Sequence, residues 1–153
     1  MSVTRKNLED AFAGESQAHT KYRYFAKIAR ANGHEEVAKH FEHTADQELL
    51  HAWGHLELLV GKPTTEQCLQ MAIDGETHEF TYMYPGMAKA AEIEGDVLAK
   101  KEAEHQIEES EQHAKEFQEV MSWMKKAEAR FKALKGVEER HANAYKVKLG
   151  ELK

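Results

Sequence analysis

The sequence predicts an all-α protein: a bundle of four helices with one additional helix inserted before the last. Three observations carry this. Glycine and proline are scarce and clustered: Pro63 and Pro85 are the only prolines, and neither residue type occurs between Gly95 and Gly136. Apolar residues recur at the 3.6-residue helical period over four separate stretches. Short turn signals stand between those stretches, at Asn32-Gly33, Gly61-Lys62-Pro63 and Gly95-Asp96.

The first helix is expected over about residues 5–31, with Leu8, Phe12, Tyr22, Phe25 and Ala29 on one face. The second runs from about 35 to 60 and carries Val37, Phe41, Ala45, Ala52, Leu56 and Leu59. The third starts after Thr64, whose spacing to Gln67 fits a capping box. It runs to about Glu94 with Leu69, Ile73, Phe80, Met83 and Ala90 on its stripe. Pro85 lies inside it and, lacking a backbone donor, should kink it or open a local bulge. Asp96 reads as a new N-cap, and helical sequence then continues to about 150. Unbroken, that stretch would be ~80 Å long at 1.5 Å per residue. A turn is therefore expected near Ser122–Lys126. It would separate an inserted helix, with Ala103, Ile107, Ala114, Phe117, Met121 and Met124, from a last helix with Phe131, Leu134, Val137, Tyr145 and Leu149. Packed around a shared core, these stripes make residues 1–153 a single domain.

Composition excludes several classes of function. The net charge of −6 and the lack of a basic stripe argue against nucleic acid as a partner. No apolar run approaches the ~18–20 residues that span a membrane, and the N-terminus MSVTRKNLED lacks a signal peptide's apolar stretch. A cytoplasmic location is the expectation. Cys68 is the only cysteine, so an internal disulfide and a CxxC metal knuckle are excluded within this sequence.

An internal repeat runs through the chain. Gly14-Glu15-Ser16 recurs as Gly75-Glu76-Thr77, and Ala26-Lys27-Ile28-Ala29 is echoed by Ala88-Lys89-Ala90-Ala91. Phe41…Glu48-x-x-His51-Ala52 recurs as Phe131…Glu138-x-x-His141-Ala142. The bundle thus reads as two helical hairpins of related sequence. Ionisable residues interrupt their apolar stripes: Glu15, then Glu48 and His51, then Glu76 and Glu79, then Glu138 and His141. A buried unpaired carboxylate costs several kcal/mol, so five in one core demand cations. Two divalent ions bring +4. One Glu from each of two helices plus Glu-x-x-His from each of two others is a plan for holding two metal ions. Oxygen and imidazole donors without thiolate suit iron, with manganese or a mixed pair as alternatives.

At these residues the sequence resembles the rubrerythrins of the ferritin-like superfamily. The resemblance covers about residues 7–95 and 127–150. It rests on Ala11-Phe12-Ala13-Gly14-Glu15-Ser16, Gln47-Glu48-Leu49-Leu50-His51-Ala52, and Gly75-Glu76-Thr77-His78-Glu79-Phe80 followed by Met83-Tyr84-Pro85. It implies a ferritin-like bundle with a di-iron centre. Glu15 and His51 would be ligands of the first iron, Glu48 and Glu138 bridges, and Glu76 and His141 ligands of the second. Glu79 would be an added carboxylate for the oxidised state, the first iron moving between His51 and Glu79. Tyr22 and Tyr84 match tyrosines that hydrogen-bond to ligand carboxylates, with core packing as the plain alternative. Glu79, Tyr22 and Tyr84 are the expected catalytic residues.

Two departures from the family pattern stand out: no CxxC pairs for a rubredoxin-type centre, and about 28 extra residues before the last ligand helix. Those residues leave the fourth ligand pair open. Counted from the turn glycines, Glu48 follows Gly33 by 15 residues and Ser110 follows Gly95 by 15. That count gives Ser110 and His113, with serine a poor bridge. The repeat pattern gives Glu138 and His141, and is preferred because His113 stands among Glu109, Gln112 and Glu116 as a solvated residue would. A single inserted helix would reverse the last one, unless it breaks into a hairpin or passes the last helix to a second subunit, so a homodimer with exchanged helices is one expectation.

The resemblance implies a peroxidase reducing hydrogen peroxide to water with an external electron donor such as a rubredoxin, in oxidative-stress defence. A ferroxidase or iron-storage protein is the alternative, and a purely structural helical protein is the reading if no metal binds.

Overall fold

The structure is a computed structural model and describes residues 2–151. The chain is all-α. Its elements are α1 (Val3–Ala31), α2 (Glu35–Val60), α3 (Thr65–His78), a π-helical turn (Glu79–Met83), α4 (Tyr84–Glu94) and α5 (Val97–Glu151), with no strand among the described residues. This is the helix order of a ferritin-like bundle, with the expected boundaries met within a few residues up to Glu94. The chain forms two compact units, Met1–Pro63 and Thr64–Lys153.

The first unit is a hairpin of α1 and α2. Ser2 caps α1 by accepting from the Arg5 amide at 3.2 Å. Gly33 turns the chain at φ 80°, a conformation that favours glycine. The seam between the helices is made of methyl groups: Ala26, Ala29, Ala38, Ala45 and Ala52 are buried. Small side chains let the two backbones approach, and the large apolar groups pack beside the seam. Phe25 and Phe41 meet edge-on with centroids 5.6 Å apart, and Tyr22 stands 6.0 Å from Phe41. Polar clasps fix the register. Arg30 donates to Glu35 at 3.0 Å and to Glu42 at 2.8 Å, holding the Glu42 carboxyl below its ordinary pKa. His19 Nδ1 donates to the Ala45 carbonyl at 2.8 Å, since a carbonyl can only accept. Arg23 pairs with Asp46.

The second unit packs α3, the π turn and α4 along α5. The capping box is present: Thr64 Oγ1 accepts from the Gln67 amide at 3.2 Å, and Gln67 Oε1 accepts from the Thr64 amide at 2.8 Å. The bulge expected from Pro85 is the π turn. There the Tyr84 amide reaches back five residues to the Glu79 carbonyl, and Pro85 enters α4 where a missing donor is tolerated. Gly95, at φ 74°, ends α4, and Asp96 caps α5 by accepting from the Ala99 amide at 2.9 Å. Ile73, Ala91, Ala103, Ser110 and Ala114 are the buried residues of this unit.

The main departure is in α5. The expected turn near Ser122–Lys126 does not occur. Instead α5 is one helix of 55 residues, about 80 Å long, so the inserted helix and the last helix are one. The physical reason is local: no proline or glycine lies between Gly95 and Gly136, and a lone interior glycine costs only about 1 kcal/mol. The apolar side that packs is the one through Ala103, Ile107, Ala114 and Phe117. The stripe assigned to the last helix is not a core face here, because Phe131, Leu134, Tyr145 and Leu149 are exposed. Val37, also placed on a stripe, is half exposed.

Candidate metal centre

The first donor set lies between α1 and α2. Glu15 sits one turn after Phe12, and Glu48 and His51 share one face of α2, flanked by buried Ala45 and Ala52. One donor atom each from Glu15, Glu48 and His51 lies within 4.8 Å of the others. His51 Nδ1 is 3.0 Å from Glu48 Oε2. Both carboxylates are half-buried, while the imidazole is exposed. Two acidic oxygens and a neutral nitrogen converging at that distance suit a divalent cation of the iron or manganese type.

The second set lies between the α3–π segment and α5. Glu76 is on the last turn of α3, and Glu79 opens the π turn. The extra residue of a π turn shifts the helical register, and Glu79 faces α5 rather than solvent. Ser110 Oγ donates to Glu79 Oε2 at 3.0 Å. Ser110 is 2% exposed, the one buried polar residue among those described. His113 Nδ1 stands 3.5 Å from Glu76 Oε2. That oxygen is buried without a hydrogen bond. An orphaned buried carboxylate oxygen facing an imidazole suits a cation between them, and Glu76 lines a cavity of about 360 Å³ with His113, Glu116, Phe117 and Val120. The Tyr84 phenol is pushed up by partial burial, then by the negative charges of Glu79 and Glu76. Tyr84 thus keeps its proton.

Not every expected residue is brought together. Glu138 and His141 do not reach this set. They lie on the exposed end of α5, 77% and 62% exposed at their side chains and 4.0 Å from each other. Because α5 is unbroken, Glu138 stands 28 residues beyond Ser110, about 42 Å along the axis. Within this chain the residues beside Glu76 and Glu79 are His113 and Ser110, the pair that the count from the turn glycine Gly95 names. Glu109 points elsewhere and pairs with His105 at 3.3 Å. Tyr22 packs its ring in the aromatic cluster of the first unit.

A converging carboxylate–imidazole group on one hairpin, with Glu76 facing His113 on the other, fits a class, the all-α proteins whose bundle helices carry metal ligands. Within that class the sequence model of the rubrerythrin family matches residues 6–121, and the chain belongs to that family. It is 40% identical over 126 residues to a rubrerythrin of Porphyromonas gingivalis, covering 69% of this chain and 63% of the relative. It is 37% identical over 110 residues to nigerythrin of Nitratidesulfovibrio vulgaris, covering 63% of this chain and 54% of the relative. The chain thus spans less than two thirds of the length of these relatives. Among solved structures it is similar to fully reduced, all-ferrous nigerythrin, at 30% identity and a TM-score of 0.41, over 82% of this chain and 69% of that one. No helix among the described residues is long and apolar enough to cross a membrane.

Proposed function

We infer that the chain is a non-haem di-iron peroxidase that reduces hydrogen peroxide to water in oxidative-stress defence, using electrons from an external donor such as a rubredoxin. The observation that carries this is the convergence of Glu15, Glu48 and His51, joined by a buried, unpartnered Glu76 oxygen that faces His113. Glu15, Glu48 and His51 would hold one ion, and Glu76, Glu79 and His113 the other. Under this proposal residues 1–153 work as one functional domain in the cytoplasm. When bound, a pair of ferrous ions supplies the two electrons that, with two protons, convert peroxide to two waters. The chain's own contribution is charge and position. Four carboxylates match the +4 of the ferrous pair, and Tyr84 holds a phenolic proton beside Glu79 and Glu76.

The test is anaerobic loading with ferrous iron and then rapid mixing with either oxidant. Oxidation by peroxide is expected to outpace oxidation by oxygen by at least about tenfold. Faster oxidation by oxygen, with growth of a mineral core, would replace this reading by a ferroxidase or storage protein. Folded protein that takes up no iron would leave only a structural role.

A further inference from the structure

The end of α5 leaves one helical face unpartnered within the second unit. The first turn of α3 reaches α5 at Lys125, where Glu66 pairs with it at 2.7 Å. Beyond that point α5 runs on to Glu151, and Phe131, Leu134, Tyr145 and Leu149 are exposed. This stretch lies past residue 121, where the match to the family ends.

Its spacing points to another helix as the cover. Phe131, Leu134, Glu138, His141, Tyr145 and Lys148 follow one another at alternate steps of three and four residues. That 3.5-residue period makes a narrow seam, as in helices that pair along their length. The opposite face carries Gly136, Asn143 and Gly150, seven residues apart, which need no cover. The Glu138-x-x-His141 motif, which the metal centre does not use, stands in the middle of the seam. A carboxylate at the centre of an apolar face disfavours insertion into a lipid surface. It suits a partner that presents a complementary group at the same level.

A second copy of the same stretch does so in one orientation only. Side by side in the same direction, Glu138 would face the partner's Glu138 and Lys148 the partner's Lys148, like against like. Turned end to end, with Glu138 facing the partner's His141, the twofold axis repeats the pair as His141 facing the partner's Glu138. The same register sets Leu134 against the partner's Tyr145. It sets Phe131 against the partner's Lys148, whose methylene stem covers the ring. On the flank it sets Arg130 against the partner's Glu151. Every layer is then apolar or complementary, and Lys132, Arg140 and Lys146 stay on the outer side in water.

We propose that the end of α5 is a dimerisation helix: residues 130–151 of two copies pair antiparallel, in a register set by two Glu138–His141 contacts across the twofold axis. The contact needs no metal and is independent of the di-iron reading.

The test traps the pair as a disulfide, with the exposed Cys68 changed to serine. Leu134→Cys protein and Tyr145→Cys protein are mixed under mild oxidation, and linked chains are measured on a non-reducing gel. The mixture should link. Leu134→Cys alone should not, because in this register its two copies stand 11 residues apart along the axis, about 16 Å. Glu138→Lys in both partners should lower the linked yield about tenfold, since lysine then faces histidine. Adding His141→Glu should restore the yield, because lysine then faces glutamate. Circular dichroism confirms the helix in each variant. Linking of Leu134→Cys alone would overturn the proposal in favour of a parallel pair. A yield unchanged by Glu138→Lys, or not recovered on adding His141→Glu, would overturn the register. An unlinked mixture would overturn the dimer, and its cosedimentation with phosphatidylserine vesicles would assign the stretch to a lipid surface instead.

Discussion

Two histidines compete for one role, and their surroundings differ. His113 faces a buried, unpartnered oxygen of Glu76 at 3.5 Å, while His141 is solvated beside Glu138. A His113→Ala variant should therefore lose about one of two ferrous ions per chain, and His141→Ala should lose none. Metal analysis of the two purified variants checks this, and loss from the His141 variant alone would restore the repeat-based pairing. At this scale the sequence was legible where local pattern and position agreed. Glu15, Glu48 and His51 stood on apolar stripes at helical spacing, and the structure brings them together. It was misleading where a pattern recurred without its context. Glu138-x-x-His141 copies the spacing of Glu48-x-x-His51, but spacing along a helix says nothing about what lies opposite. Ser110 carried no chemical signal of its own. Its hydrogen bond is to Glu79, 31 residues away at the start of the π turn.

Helix ends were legible because each has a chemical marker. Thr64 with Gln67, Gly95 with Asp96, and Asn32 with Gly33 all mark boundaries the structure reproduces. Pro85 announced a bulge, and the π turn is that bulge. The failure came in α5, where a turn was expected on grounds of length alone, with no residue to make it. Compactness is a property of the assembled fold, and local sequence outweighs it when every residue favours helix. Gly136 is the weak point of that long element. A Cβ there would meet only the end of the Arg140 side chain at 3.7 Å, an ordinary contact. Gly136→Ala should accordingly stabilise the helix by about 0.5–1 kcal/mol. Because the segment beyond it is exposed, the gain should appear as slower amide exchange over the last turns of α5. Faster exchange there would show that Gly136 serves a bend in solution.

The last stretch of α5 also bears on the whole molecule. Phe131, Leu134, Tyr145 and Leu149 keep helical spacing yet lie exposed, although contiguous apolar surface of this kind is usually covered. They fall beyond residue 121, where the match to the family ends. The helical content was plain in the sequence, but which part of α5 packs and what the last stretch packs against were not, since an apolar stripe is the same whether its partner is the same chain or another. We expect a homodimer, and sedimentation equilibrium should give the mass of two chains. A change of Phe131 and Leu134 to glutamine should shift that mass toward one chain. A monomeric wild type would show that the stretch stands free.

The alanine seam of the first hairpin has a consequence for how such a centre can change. Ala45 and Ala52 lie one turn either side of Glu48 and are fully or almost fully buried against α1. They set the distance between the two backbones, and so the span across which Glu15 must meet Glu48 and His51. The tolerance of the metal site is thus written in residues that have no affinity for metal. The methyl groups cannot grow without changing the gauge on which every donor depends.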